Sequence, residues 1–264
     1  MFNIILAGYQ FLFARKAFYK FNKGLYYLSL RGLGILNYES YKLSGEQAFI
    51  EPYFSTLKEG VVLDIGANVG NYSKHILKIS PDIQIYAFEP HPITYKKLTM
   101  SVVSKNFHPF NLAVGSKNSE LQLYDYEDQD GSSHASIYKE VIEGIHKGKA
   151  IKHDIQVIRM DNFLKEHSID RIDLLKIDTE GNELDVLKGL GNWIPKGKIK
   201  AIQFEFNEMN VISRSFFKDF WDILPNYNFY RMVQDGLIPI GQYNPVHCEI
   251  YAFQNIVALI KNQE

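Results

Sequence analysis

The sequence predicts an α/β fold in which helices cover both faces of a mostly parallel sheet. Short apolar runs rich in β-branched residues alternate with segments whose apolar residues recur at helical spacing. This alternation is typical of strand–helix–strand units. The first apolar run, Val61–Leu63, passes into the glycine-containing turn Asp64–Gly70 and then into a helical pattern. A turn of this kind between a strand and a helix is typical of doubly wound domains that bind nucleotides.

Five runs predict the parallel part of the sheet, and two later runs predict its end. The five are Val61–Leu63, Ile83–Phe88, His108–Val114, Asp173–Asp178 and Lys200–Phe206. Further strands are predicted at Tyr230–Val233 and Ile250–Ile260, where Asp-Gly and other glycine-containing turns separate the runs. Short turns join antiparallel neighbours, so we expect an antiparallel finish.

The length of 264 residues suits one α/β domain with additions. We place the core domain at residues 45–264 and a helical extension at residues 1–44. A polar insert at about residues 124–152 is rich in Asp, Gly, Ser and Lys. An insert of that length acts as a lid or a binding loop, or is simply mobile.

The N-terminus is apolar from Met1 to Ala14 but reaches Arg15 and Lys16 before the ~18 residues that a membrane span needs. A signal peptide is not expected, because no small-residue cleavage site follows a charged leader. Two interpretations of residues 1–30 stay open. One is a helix packed on the main domain or on a partner subunit. The other is a basic amphipathic helix in peripheral contact with the inner face of a membrane.

Composition excludes several classes of protein. Hydrophobic residues make up 46% and charged residues 22%, which is ordinary for a globular chain. The formal net charge of -1 and the lack of a clustered basic patch predict no nucleic-acid partner. Cys248 is the single cysteine, which excludes an intramolecular disulfide and a zinc site built from several thiolates. A lone cysteine suits a reducing compartment, so we expect a cytoplasmic protein.

The Asp64–Gly70 turn predicts a cofactor site. Glycine lets the backbone approach a ligand closely, and Glu89, 25 residues after Asp64 (89 − 64), is placed to accept hydrogen bonds from ribose hydroxyls. A dinucleotide turn has a second glycine where this chain has Asn68, and a P-loop needs a Gly-Lys-Ser/Thr sequence that the turn lacks. We therefore favour an adenosyl ligand without a pyrophosphate, S-adenosylmethionine, over NAD.

Four ordered motifs together resemble the FkbM family of S-adenosylmethionine-dependent methyltransferases. They are Val62–Ser73, Phe88–Pro92, Asn111–Gly115 and Ile172–Gly189, and the resemblance covers roughly residues 45–260. It implies a class I methyltransferase (Rossmann-like) three-layer sandwich, with a seven-stranded, mostly parallel sheet whose last strand is antiparallel. It also implies methylation of a hydroxyl on a sugar, glycan or glycolipid, or natural product, including a role in polysaccharide biosynthesis.

The same resemblance implies which residues hold the cofactor. The turn would hold the methionine part, Glu89 would bind the ribose, and the third motif would lie beside the adenine. The turn residues concerned are Asp64, Gly66, Ala67, Asn68 and Gly70, and those of the third motif are Asn111 and Ala113.

Catalysis is predicted at the end of the fourth strand. A hydroxyl needs a positioned base, and Asp178 or Glu180 is our candidate, with Lys176 tuning the charge. The structural alternative is that Lys176 pairs with a carboxylate and Glu180 caps the next helix. Glu205 is a weaker candidate, as are several histidines including His134. We expect no metal, because no third carboxylate accompanies Asp178 and Glu180 in the sequence.

Three functions remain as hypotheses. The leading one is an O-methyltransferase that acts on a small-molecule or glycan acceptor. The second is a non-catalytic adenosyl-binding partner of a glycan-synthesis enzyme, and the third is an NAD-dependent sugar oxidoreductase. Paired calorimetry with S-adenosylhomocysteine and NADH separates the cofactor interpretations.

Overall fold

The computed structural model describes residues 2–261, which form eleven strands and ten α-helices. The strands are β1 (Val61–Ile65), β2 (Gln84–Phe88), β3 (Phe107–Phe110), β4 (Ala113–Gly115), β5 (Ser119–Tyr126), β6 (Ala150–Arg159), β7 (Ile172–Ile177), β8 (Ile199–Phe206), β9 (Tyr227–Val233), β10 (Gly236–Pro239) and β11 (Gln254–Ile260). The helices are α1 (Phe2–Phe13), α2 (Tyr19–Gly32), α3 (Glu46–Ser55), α4 (Asn71–Ile79), α5 (Pro92–Ser101), α6 (Met160–Glu166), α7 (Glu183–Gly189), α8 (Met209–Ser213), α9 (Phe217–Ile223) and α10 (Pro245–Cys248). Met1 and residues 262–264, which the predicted boundaries include, lie outside the described residues.

Eight strands form the main sheet in the order β10-β9-β11-β8-β7-β1-β2-β3. Neighbours from β3 to β8 are parallel, whereas β11 lies antiparallel between β8 and β9. The predicted seven-stranded, mostly parallel sheet with an antiparallel last strand is confirmed. The structure adds an eighth strand, β10, which pairs antiparallel with β9 through the turn before Gly236. This order places β1 between β2 and β7, where the connections switch from one side of the sheet to the other.

Helices bury apolar side chains on both faces of the sheet, which gives the three layers. Alternation along β1 sends Val62 to the layer of α3, α4 and α5, and Leu63 to the layer of α6, α7 and α9. Both side chains are fully buried. The central strands have apolar neighbours on both faces, as expected for a parallel sheet.

The predicted third strand, His108–Val114, is wrong as a single element. Phe107–Phe110 pairs with β2 in the main sheet, while Ala113–Gly115 pairs with β6 in a separate three-stranded sheet of order β4-β6-β5. Asn111 explains the break, because its side-chain amide donates to the carbonyl oxygens of Glu89 and Pro90, at 2.8 and 2.9 Å. The chain therefore bends between the two sheets.

The polar insert begins and ends on paired strands. Tyr124 on β5 lies opposite Lys152 on β6, so the predicted bounds of 124 and 152 face each other across an antiparallel pair. Between them the chain makes a single π-helical turn, Val141–Ile145. The insert thus starts from one strand of the small sheet and returns to its neighbour.

The predicted strand Ile250–Ile260 begins too early. Strand β11 starts at Gln254, and the preceding segment is irregular because its backbone bonds locally, with Ala252 N donating to Ile250 O. The Gln254 side chain also donates to Ile250 O, at 2.7 Å. These local hydrogen bonds keep residues 250–253 out of the sheet.

Helices α1 and α2 precede the sheet domain, and their side chains are largely exposed. Leu30 is the one buried residue of α2. Within residues 2–261, no helix combines the length and the apolar character that crossing a bilayer requires.

Candidate active site

A cavity of about 510 Å³ opens at the carboxyl ends of the central strands. The ends of β1, β2, β7 and β8 meet there because parallel strands point the same way, and ligands bind at this edge in such sheets. The predicted site residues that line it are Gly66, Asn68, Glu89, Ala113, Asp178 and Glu180. The other predicted site residues, Asp64, Ala67, Gly70, Asn111 and Lys176, lie behind this wall or beside it. Six of the eleven predicted site residues therefore line the cavity, and the other five lie outside its lining.

Gly66 allows the end of β1 to lie in close contact with the end of β7. Its φ is +77°, and a Cβ there would lie 1.6 Å from the carbonyl oxygen of Asp178. The backbone N–H groups of Gly66 and Ala67 both donate to Phe88 O, at 2.9 and 3.0 Å. This glycine therefore makes possible the close approach of the turn to two neighbouring strands.

The rest of the turn is fixed by its own side chains and by helix packing. Asn68 has a φ of +49°, and its side-chain oxygen accepts from the N–H of Val69 at 2.7 Å. Asparagine tolerates this left-handed conformation better than most residues. Gly70 caps α4, and a Cβ there would lie 2.4 Å from Val102 and 2.7 Å from Leu98. Gly70 thus allows α4 to pack closely against α5, and its contact with a cofactor stays a prediction.

Glu89 is a buried carboxylate at the cavity wall, 7% exposed. Its Oε2 accepts from Asn68 N at 2.9 Å, and its Oε1 accepts from His91 N at 2.8 Å. Each oxygen keeps a further lone pair, which fits the two hydroxyls of a ribose. Burial raises the pKa of Glu89 to about 7, and the N–H donors of His91 and Asn68 oppose that rise.

We expect the affinity for S-adenosylhomocysteine to depend on pH if Glu89 binds the ribose. The ionised carboxylate is the better acceptor, so the dissociation constant should rise up to about tenfold per unit as pH falls below about 7. Above that pH it should level off. Calorimetry between pH 5.5 and 8 measures this, with Glu89→Gln expected to bind weakly and without the slope. Because burial also raises the pKa of Glu180 to about 7, Glu180→Gln is the matched control and should keep the slope. A wild-type affinity that does not change with pH would contradict the role of Glu89.

Lys176 holds a buried ion cluster under the turn. Its Nζ lies 3.0 Å from Asp178 Oδ2, 3.6 Å from Asp64 Oδ1 and 3.2 Å from Gly66 O. Burial alone would lower the pKa of Lys176, but the carboxylates of Asp178, Asp64 and Glu46 outweigh it and raise that pKa. Asp64 in turn accepts from Ser73 Oγ at 2.6 Å. Lys176 and Asp64 therefore position Asp178 and the turn from behind the cavity.

Glu180 reaches the cavity from a strained backbone position, with a φ of +53°. Its Oε1 lies 3.5 Å from Nδ1 of His134, which belongs to the polar insert. Among the described residues, none hydrogen-bonds to its buried Oε2. Burial raises the pKa of Glu180 to about 7, with His134 opposing and Asp178 adding to the rise. A carboxylate with a free oxygen and a pKa near neutrality suits a general base.

The β8 end adds acidic and amide groups that the sequence indicated only weakly. Glu205 and Asn207 line the cavity, and Asn207 Nδ2 donates to Glu205 Oε2 at 3.2 Å. Burial and the nearby Asp178, Glu180 and Glu46 raise the pKa of Glu205. The rule that strand ends meet at one edge gave Glu205 as a candidate, and it would have given Asn207 also.

Apolar residues complete the cavity, and most of them have no sequence signal. Leu112 and Ala113 follow β3, while Leu36 and Tyr38 come from the segment after α2. Asn111 donates its side-chain amide to the carbonyl oxygens of residues 89 and 90, and its place beside an adenine stays a prediction. Phe88, Leu112 and Ala113 form an apolar part of the cavity wall.

A buried histidine, His91, contacts the polar insert and holds it beside Glu89. His91 Nε2 lies 2.9 Å from Asp130 Oδ1 and 3.3 Å from Asp125 Oδ2, and His153 also contacts Asp130, at 2.8 Å. Ser132 N donates to Asp125 at 2.9 Å, which fixes the loop that lines the cavity. The insert therefore forms part of the site wall.

Three ligand-type atoms of His91, Asp130 and His153 lie within 4.8 Å of one another. However, Nδ1 of His91 accepts from the N–H groups of Ile93 and Thr94. A metal-bound histidine normally donates from its other nitrogen. Since this nitrogen is an acceptor, Nε2 carries the proton and donates to Asp130. The cluster is thus best described as hydrogen bonds, and the absence of a metal requirement stays a prediction, which insensitivity of activity to EDTA would support.

Comparisons with known proteins find similar sequences and structures. The sequence profile of the methyltransferase FkbM domain matches residues 64–231, more than half of the chain. Methyltransferase sdnD of Sordaria araneosa is 29% identical over 49% of this chain and 60% of its own length. The 2-O-methyltransferase NoeI of Sinorhizobium fredii is 21% identical over 67% and 76%. The hexuronic acid methyltransferase AglP of Haloferax volcanii is 28% identical over 57% and 58%.

The matched part spans only about three fifths of the length of sdnD and AglP. Among solved structures, the plantazolicin methyltransferase BpumL in complex with S-adenosylhomocysteine aligns with 96% of this chain and 93% of its own. Its TM-score is 0.42 and its sequence identity 13%.

Proposed function

Because the chain belongs to the FkbM family of methyltransferases, which use S-adenosylmethionine, we propose that it is an O-methyltransferase. Its acceptor in this proposal is a hydroxyl of a sugar, a glycan or glycolipid, or a natural product. The observation that carries the proposal is the position of two carboxylates, Asp178 and Glu180, on the same cavity as Gly66 and Glu89. The names of two relatives describe sugar-related methyl transfer, a 2-O-methyltransferase and a hexuronic acid methyltransferase.

The turn and Glu89 would hold the cofactor. The spare lone pairs of the Glu89 carboxylate suit the ribose hydroxyls, and the apolar wall at Leu112 and Ala113 suits the adenine. When bound, S-adenosylmethionine supplies a methyl group on a cationic sulfur, which an acceptor oxygen takes in an in-line displacement. The surrounding carboxylates favour a cationic ligand electrostatically.

We propose distinct roles for the two carboxylates. Glu180 takes the proton of the acceptor hydroxyl, because its pKa of about 7 makes it a stronger base than an ordinary carboxylate. His134 contacts its Oε1, and no described residue hydrogen-bonds to Oε2, which is left to accept the proton. Asp178, fixed by Lys176 at 3.0 Å, accepts a hydrogen bond from the acceptor and aligns it.

The charge of the cavity narrows the acceptor class. Its lining includes no Lys or Arg from the described chain but five carboxylates, which are Glu89, Asp178, Glu180, Glu205 and Glu208. A carboxylate or phosphate close to these groups would be repelled. The part of the acceptor that enters the cavity is therefore neutral or cationic, and a uronate is disfavoured.

A screen with a tritiated methyl donor tests the proposed function. The acceptors are small polyols, lipid-linked glycans and sugar nucleotides, with a neutral sugar and its uronate as a matched pair. We expect label to reach the neutral member in preference. S-adenosylhomocysteine binding without transfer to any acceptor would favour the non-catalytic partner. NADH binding without S-adenosylhomocysteine binding would favour the oxidoreductase.

We also propose that the reaction takes place in the cytoplasm. The single cysteine, Cys248, is buried and free. A free thiol is stable in a reducing compartment. Fractionation of cells that produce the chain tests this location.

A further inference from the structure

The first two helices form a packed unit, which we call the N-terminal hairpin (residues 3–33). The Tyr9 hydroxyl donates to the Asn22 side chain, and Asn22 Nδ2 donates to Phe13 O at 2.9 Å. The ring of Phe13 lies 5.0 Å from that of Phe18 and 5.9 Å from that of Phe21. These contacts between α1 and α2 fix their relative positions, so the hairpin presents a defined surface.

That surface is apolar and exposed. Ile4 is 78% exposed, Phe11 71% and Leu28 69%. Other exposed apolar side chains of the hairpin are Ile5, Leu6, Tyr9, Leu12, Phe18, Tyr19, Phe21, Leu25, Tyr26, Tyr27 and Leu33. Isolated apolar residues are normal on a protein surface, but this many exposed on two short helices mark an interaction site.

The charges of the hairpin all have one sign. Its ionisable side chains are Arg15, Lys16, Lys20, Lys23 and Arg31, and the first acidic residue of the chain is Glu39. Glu39 pairs with Arg31, at 2.5 Å. The other four cations are grouped between the end of α1 and the middle of α2. This combination of aromatic, aliphatic and basic side chains matches the chemistry of an anionic lipid surface.

We propose that the N-terminal hairpin docks the protein on the surface of an anionic bilayer. Helix α1 has 12 residues, about 18 Å at 1.5 Å per residue, which is shorter than the ~30 Å hydrocarbon core. The helices would therefore lie in the plane of the interface. Their aromatic rings would sit at the level of the headgroups, and the lysine side chains would extend to the phosphates.

Charge favours a bilayer over a second copy of the chain. Two hairpins face to face would bring like charges together, with no acidic residue on either one to offset them. Interfaces between proteins are also depleted in lysine. An anionic lipid surface, in contrast, attracts each basic side chain by about 1 kcal/mol, or about fivefold in affinity.

Flotation of the full chain with vesicles tests the proposal. We expect it to float with phosphatidylcholine vesicles that contain phosphatidylglycerol, less with phosphatidylcholine alone, and less at high salt. The triple variant Lys16→Glu, Lys20→Glu, Lys23→Glu should bind the anionic vesicles at least on the order of 100-fold more weakly. The variant Ile4→Ser, Ile5→Ser, Phe11→Ser, Leu12→Ser should not float.

The control removes two apolar side chains elsewhere. Met100, at the end of α5, and Val103, just after that helix, are 74% and 92% exposed, and the variant Met100→Ser, Val103→Ser should float like the wild type. S-adenosylhomocysteine binding by each variant shows that it is folded, and because flotation needs no acceptor, its result is independent of the proposed function. A wild-type chain that fails to float with anionic vesicles overturns the proposal. A dimer by light scattering together with that failure would assign the surface to a second copy.

Discussion

Replacing Gly66 by alanine is expected to abolish cofactor binding and to lower the free energy of unfolding by about 3 kcal/mol or more. The new Cβ would lie 1.6 Å from the carbonyl oxygen of Asp178, which is backbone and cannot rotate away. The φ of +77° adds strain for any residue with a side chain. Relief requires the ends of β1 and β7 to separate, and this would displace Asp178 as well. Urea unfolding and calorimetry with S-adenosylhomocysteine measure the two effects.

Gly144→Ala is the matched control for Gly66→Ala. A Cβ at Gly144 meets no atom closer than 3.9 Å, and the residue lies in the turn Val141–Ile145 of the insert. The free energy of unfolding of the Gly144→Ala variant should stay within about 0.5 kcal/mol of the wild-type value, or rise slightly. If Gly66→Ala binds S-adenosylhomocysteine as the wild type does, the described approach of the turn to β7 is wrong.

Glu180→Gln should lower kcat by about 100-fold or more while leaving cofactor affinity nearly unchanged, because it removes the proposed base. Asp178→Asn should lower kcat less, about tenfold, since it weakens alignment and retains an acceptor oxygen. The rise of the wild-type kcat through pH 7 should be lost in Glu180→Gln, since the pKa of Glu180 is about 7. Turnover of an acceptor found in the tritium screen measures each effect. The assignment is wrong if both variants keep near wild-type turnover.

Stability provides a second readout for Glu180. Burial raises the pKa of Glu180 from 4.5 to about 7 in the folded chain. Between these two pKa values the folded state keeps a proton that the unfolded chain has released. The stabilisation that comes from this proton is complete below about pH 4.5, and it is lost as pH rises through 7. At pH 8 Glu180→Gln should thus be more stable than the wild type, by about 1 to 3 kcal/mol. Denaturant titrations at pH 5 and pH 8 would show whether the difference grows with pH. If Glu180→Gln is inactive and yet more stable than the wild type, its loss of activity is not caused by unfolding.

The parallel strands and the edge that holds the site could be predicted from the sequence because each signal is local. The run Val61–Leu63 is apolar on both faces, so it belongs in a parallel sheet. Gly66 and Gly70 mark the place where the strand ends, and Glu89 ends the next one. Since parallel strand ends share an edge, these residues and Asp178 could be placed together without a structure.

What the sequence could not predict depends on contacts between distant segments. Leu36 and Tyr38 line the cavity because Leu36 N donates to Phe253 O, at 2.7 Å, which joins positions more than 200 residues apart. Asn111 was expected beside the adenine, and only the fold shows that its amide is used by the carbonyls of Glu89 and Pro90. The pairing of Glu180 with His134 likewise depends on how the insert folds back.

The short connection after α2 joins the N-terminal hairpin to the wall of the cavity. Only residues 34–37 separate the hairpin from Tyr38, which lines the cavity, and Ile35 among them is bridged to Gln254 of β11. Any shift of Tyr38 on lipid binding changes the cavity that receives the cofactor. Reciprocity then requires the cofactor to change lipid affinity by the same factor. Cofactor binding would in that case raise or lower the affinity of the N-terminal hairpin for the bilayer.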